Sequence, residues 1–218
     1  MKAIIFDMDG VIINSEPLHF KIEKELLEKL GGNISDEELQ SFAGTTDYNM
    51  WSKFKEMFKL KPPVEELVET KKERFMKRID EVDLVDNFMD FMLAAYEEGF
   101  LLAIASSNNR RIVDAVVEKF QLGKYMQFII SGEEVKKGKP DPEIFLTAAK
   151  KMNVSPTDCI VIEDATNGVK AAKAAGMKCI ALKNLDSGNQ DLSEADLIIK
   201  NFKELNLDII KSLLNKEG

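Results

Sequence analysis

The chain has 218 residues, 44% of them hydrophobic, enough apolar material for a packed core in one large domain or a domain with an insert. Asp and Glu number 38 against 30 Lys and Arg, a net charge of -8, which disfavours unselective attraction to nucleic acid or anionic lipid and leaves any anionic ligand in need of a local device. No apolar run approaches the ~20 residues that span a bilayer, and the N-terminus has no basic-led apolar segment long enough for a signal peptide, so the expectation is a cytoplasmic protein without membrane or nucleic-acid partners.

Taken in chain order, the first element is an apolar run at 3–6 that ends in Asp7 and Asp9, closed by Gly10. Residues two apart in an extended chain point to the same side, so both acids can face one ligand, and Gly10 lets the backbone turn and approach it closely. From 14 to 84 only helical patterns occur, in PLHFKIEKELLEKL, NMWSKFKEMF and PVEELVETKKERFMKRI, with no convincing strand. This stretch reads as an inserted helical subdomain, with Trp51, Phe54, Met57 and Phe58 at helical spacing as its own core. From Leu101 onward short buried strands at 101–105, 128–130, 159–162, 179–182 and 197–199 alternate with the helical patterns RRIVDAVVEKF, PEIFLTAAKKM and NGVKAAKAAGM. That alternation predicts a doubly wound, Rossmann-like α/β parallel sheet core over 1–13 and 85–218, with an all-helical cap domain at 14–84. Cys159 and Cys179 sit in apolar stretches without zinc-site spacing and are read as buried thiols.

The polar residues fall at corresponding places. Asp7 and Asp9 follow the first strand, Ser106 and Ser107 the second, Lys139 lies in the GKPDP loop after the third, and Glu163 and Asp164 follow the fourth. Carboxyl ends of strands in an open parallel sheet form the ligand crevice, so four loops distant in sequence deliver these side chains to one place. Four carboxylates beside one lysine repel one another unless a hard cation lies among them, and Mg2+ suits such oxygen donors; a calcium-binding site is the rival, but it leaves Ser106 and Lys139 without a task. Phosphoryl transfer occupies every group. Metal and Lys139 neutralise phosphate charge, Ser106 and loop N–H groups bind its oxygens, one aspartate attacks phosphorus and its neighbour protonates the leaving oxygen. Asn108 and Asn109 open a helix near that site, where an amide can contact an anion or cap the helix.

FDMDGV, IASSN, KKGKPDPEIF and VIEDATNGVKAAKAAGM resemble the four ordered motifs of the haloacid dehalogenase superfamily, and the helical insert is similar to the cap of its phosphatase and β-phosphoglucomutase branch. The resemblance implies Asp7 as nucleophile, Asp9 as general acid and then base, and Gly10, Ser106, Ser107, Asn108 and Lys139 around the substrate phosphate. It also implies Mg2+ held by Asp7, Asp9 (through its backbone carbonyl), Glu163 and Asp164. The second acid, Asp9, argues for phosphate rather than carbon–halogen chemistry, since dehalogenase members use a single acid. In the cap, His19 in EPLHF falls near the junction with the core, while Gly44, Thr45 and Thr46 form a loop suited to substrate choice and Lys71 occupies a ligand-contacting place. A packed histidine, a solvated loop and a surface lysine are the plain alternatives.

Three departures carry information. The cap loop AGTTDYNMW offers Asp47 where β-phosphoglucomutases supply an arginine for a second phosphate, Asn14 replaces a hinge aspartate, and VDNF lacks the usual Pro-Gly pair. The expected function is therefore a magnesium-dependent phosphatase acting, as a monomer, on a small phosphorylated metabolite, a sugar phosphate among the candidates. A phosphomutase of the β-phosphoglucomutase type is the alternative, and a non-catalytic phosphate-binding or regulatory protein on the same fold is the second.

Overall fold

The computed structural model describes residues 1–42, 45–184 and 187–215. Its contacts divide into an α/β unit, formed by Met1–Asn14, Leu84–Asn184 and the stretch from Gln190 onward, and a helical unit over Ser15–Asp83.

The α/β unit contains β1 (Ala3–Phe6), β2 (Ile13–Asn14), and after the helical unit α5 (Phe88–Glu97), β4 (Leu101–Ala105), α6 (Arg110–Lys119), β5 (Phe128–Ile130), α7 (Glu143–Met152), β6 (Cys159–Glu163), α8 (Thr166–Ala174), β7 (Lys178–Leu182), β8 (Leu197–Ile199) and α9 (Leu207–Asn215). Six strands form one sheet in the order β5-β4-β1-β6-β7-β8, and every pairing is parallel. The first strand is thus central, with the sheet extended outward on both sides, which is the doubly wound arrangement. Its residues are uniformly apolar because both faces are covered. Ala3 and Ile5 join a core with Phe145 and Ala148 of α7 and Val169 and Ala172 of α8. On the alternate register, Phe6 meets Phe88 edge-on at 5.3 Å and Phe91 at 6.4 Å, and both of these rings meet Phe202.

The helical unit is built from α1 (Glu16–Lys29), α2 (Asp36–Gln40), α3 (Asp47–Phe58) and α4 (Val64–Lys77). Leu26, Leu27, Trp51, Phe54 and Leu67 form its core, with Phe58 packed at the side. Met57 departs from the expected core set and is 48% exposed. Phe58 occupies the position one turn on from Phe54, and Met57 is rotated away from it by about 100°. The second correction is a strand within the supposedly strand-free stretch: β3 (Asp83–Leu84) pairs with β2 as a two-residue ribbon, too short to show as a period-2 pattern. Among the described residues no helix is long and apolar enough to cross a membrane.

Candidate active site

The turn after β1 fixes the first acid pair. The Asp7 N–H continues the sheet ladder to the Ile162 carbonyl (2.9 Å), and the Gly10 and Ile12 N–H groups close the turn on Ile13 and Met8. Gly10 has φ +74°, and a Cβ there would lie 1.9 Å from Asp164 Oδ2, so this position needs glycine both for its conformation and for the acid that packs on it. Asp7, Ser106, Glu163 and Asp164 are all buried despite being polar.

Lys139 connects the ends of β1 and β6. Its ammonium donates to Asp7 Oδ1 and, at 2.7 Å, to Glu163 Oε1, while its side chain is only 8% exposed and lies 4.9 Å from the centre of the Phe145 ring. Its loop is tied down by two acids that follow it: Glu143 accepts from the Lys136 and Lys137 N–H groups, and Asp141 accepts from that of Glu143. Glu163 Oε2 accepts from the Asp164 and Ala165 N–H groups at 2.8 Å each, so this carboxylate faces the lysine with one oxygen and organises its own loop with the other. Asp164 does not cap the helix that follows, since the N-cap of α8 is Ala165.

The end of β4 is held from within. The Ser106 N–H donates to the Ile130 carbonyl, the Ser106 hydroxyl accepts from the Asn108 N–H at 3.1 Å, and Asn109 rather than Ser106 caps α6 through the Ile112 N–H. The side-chain amide of Asn108 donates to Asp9 Oδ2. Ser107 is exposed.

Carboxylate oxygens of Asp7, Glu163 and Asp164 lie within 4.8 Å of one another. Burial pushes the Asp7 carboxyl up to about 7; the Lys139 ammonium pulls it down, and the Glu163 and Asp9 carboxylates push it up again. Burial alone would lower Lys139, but Asp7 and Glu163 hold it above its ordinary value. One ammonium therefore leaves excess negative charge in a dry site. A hard divalent cation fits that donor set, since all three ligands offer oxygen and the charge imbalance favours it. Asp9 is outside this cluster by side chain, which is engaged by Asn108.

In the helical unit Lys71 is no solvated surface lysine. It is buried and paired with both Glu23 and Asp47. The His19 ring stacks on Phe75 at 4.5 Å between centroids, and burial together with Lys71 pushes its pKa down to about 3, so it is a packed neutral histidine. Thr46 caps α3 by accepting from the Asn49 N–H, and the Thr45 hydroxyl donates to the Phe42 carbonyl. Gly44 lies outside the described residues. Cys159 and Cys179 are buried free thiols, and burial pushes the first up to about 12.

Not foreseen from the sequence were Glu143 and Asp141 as holders of the lysine loop, and the first glycine of NGVKAAKAAGM, Gly168. A Cβ on Gly168 would lie 1.6 Å from Glu163 Oε1. A glycine inside a helical pattern was the available signal for that close approach.

Fold and site together define an α/β unit in which acids from two strand ends, Asp7 and Asp9 after β1 and Glu163 and Asp164 at the end of β6, surround one lysine, with the hydroxyl-bearing loop after β4 joined to Asp9 through Asn108. The sequence profile described as haloacid dehalogenase-like hydrolase matches residues 4–182. The phosphorylated carbohydrates phosphatase of Thermotoga maritima is 30% identical over 98% of this chain and 100% of its own length. The β-phosphoglucomutase of Bacillus subtilis is 30% identical over 96% of this chain and 94% of its own. A solved β-phosphoglucomutase from Clostridium difficile superposes with a TM-score of 0.80 at 26% identity, covering 99% of this chain and 97% of that one. The chain belongs to the haloacid dehalogenase-like hydrolases, on the branch whose members carry phosphatase and β-phosphoglucomutase names.

Proposed function

We propose that the chain is a magnesium-dependent phosphatase of small phosphorylated carbohydrates that works through a phosphoaspartate on Asp7. The observation that carries this reading is the Lys139 ammonium spanning Asp7 and Glu163, with an Asp164 oxygen within 4.8 Å of both carboxylates. Asp7, Glu163 and Asp164 would hold the ion, which when bound supplies positive charge against the phosphate oxygens and keeps Asp7 ionised. The remaining chemistry belongs to the chain. Lys139 orients Asp7 and neutralises developing charge, the Ser106 loop binds phosphate oxygens, and Asp7 forms a bond to phosphorus as the alcohol leaves. Asp9 gives the alcohol oxygen its proton and then takes one from the water that hydrolyses the acyl phosphate.

The mutase reading has one named relative behind it, the Bacillus enzyme. Against it stands Asp47, an acid already paired with buried Lys71, at the place where a second phosphate would need a cation. Phosphate release from a panel of sugar phosphates with Mg2+, run beside a coupled assay for glucose 6-phosphate formation from β-glucose 1-phosphate, separates the readings. Release without isomerisation is expected; isomerisation without net release contradicts the assignment, and silence in both assays favours a binding or regulatory protein.

A further inference from the structure

The geometry points to Asn108 as the positioning residue for Asp9, and not as a ligand of the transferred phosphoryl group. This rests on the reading of Asp9 as the proton-transferring acid.

Asn108 and Asp9 are 99 residues apart, yet the amide Nδ2 of one donates to the carboxyl Oδ2 of the other, and both belong to the α/β unit. Asn108 is in turn fixed along its backbone. Its N–H donates to the Ser106 hydroxyl (3.1 Å), its carbonyl accepts from the Gly132 N–H (2.9 Å), and the next residue, Asn109, caps α6. The loop also rests directly on residue 132, where a Cβ would lie 2.4 Å from the Ser107 carbonyl oxygen. An amide so anchored has little freedom, and so has the carboxyl it holds.

The choice of a neutral amide suits a group that changes charge within each cycle. In the first step an Asp7 oxygen bonds to phosphorus while the bond from phosphorus to the alcohol oxygen breaks. The pair from that bond stays on the alcohol oxygen, which takes the Asp9 proton and leaves Asp9 as carboxylate. In the second step the water oxygen bonds to phosphorus, the Asp7–phosphorus link breaks with its pair returning to Asp7, and a water proton passes to Asp9. An N–H donor needs only a lone pair on Oδ2, which the acid and the carboxylate both offer. A lysine in its place would favour the carboxylate throughout and oppose the first step.

Leaving-group dependence tests this. A sugar phosphate expels a poor leaving group that needs a proton, whereas p-nitrophenyl phosphate expels a stable phenolate that does not. Asn108→Ala is expected to lose about 30–100-fold in kcat/KM on the sugar phosphate and less than about 5-fold on p-nitrophenyl phosphate, with KM little changed. Asn108→Asp, which keeps the size and backbone bonds but has no amide donor, is expected to show the same asymmetry while unfolding at the wild-type temperature. Equal losses on both substrates with a raised KM would make Asn108 a phosphate ligand and overturn the proposal, as would full sugar-phosphate activity in either variant. A wild-type chain inactive on both substrates overturns the functional reading itself, a result distinct from equal losses in an active enzyme.

Discussion

Lys139 shows how one side chain can serve structure and chemistry together. Its ammonium compensates two buried carboxylates, Asp7 and Glu163, and its own burial is tolerable only because they face it. Removing it strands both acids in a dry pocket, where an unpaired charge is expensive. Lys139→Ala is therefore expected to destabilise the metal-free protein by about 3–5 kcal/mol, read from denaturant unfolding, and added Mg2+ should recover part of that loss by restoring a cation beside the same acids. An unchanged unfolding midpoint would mean that the pairing contributes nothing to stability. At this scale the acids and Ser106 were legible because each falls at the end of an apolar run, and Lys139 because its GKPDP loop follows another such run. The amide of Asn108 was not, since a residue facing helix start and crevice alike gives no sign of which carboxyl it will reach.

Among the elements, α8 is the most constrained by the site it adjoins. Gly168 lies in its first turns, against the carboxylate of Glu163, and that carboxylate in turn holds the Asp164 and Ala165 N–H groups. Gly168→Ala must displace Glu163 and with it the loop bearing Asp164. We expect the Mg2+ concentration for half-maximal activity to rise by about 10–100-fold, the usual cost of disturbing a group that supports metal ligands; an unaltered titration would show that the loop absorbs the methyl group. Helix α1 gives a prediction of another kind. His19 is neutral in the folded chain, with a pKa pushed down to about 3 by burial and by Lys71, while Asp47 works in the opposite direction. Unfolded, it returns to its ordinary 6.5. Between those values the unfolded chain binds a proton that the folded one refuses, so His19 makes stability fall as pH falls, by up to about 1.4 kcal/mol per pH unit. His19→Asn should flatten the slope of stability against pH between 6.5 and 4, and an identical slope would contradict its neutral burial. The elements themselves were readable wherever the pattern was long. The two-residue strands β2 and β3 and the exposure of Met57 were not, because two residues carry no period and a helical stripe does not mark its own edge.

Across the whole molecule, the fold was visible in the sequence because strand and helix alternate from Leu101 onward, and a parallel sheet then dictates where its crevice lies. What the alternation does not encode is the wiring within that crevice: which acid Lys139 joins, which one Asn108 holds, and that Lys71 is occupied by Glu23 and Asp47. Those depend on loop conformation, settled by backbone bonds such as the ones Glu143 accepts. The claim on which the account turns is that an Asp7 oxygen attacks phosphorus. Its most direct test is phosphate release in Mg2+ by Asp7→Asn beside the unaltered enzyme, with circular dichroism to verify folding. The account predicts a folded variant slowed by about 10^3-fold or more; a folded variant that releases phosphate at the wild-type rate would contradict it.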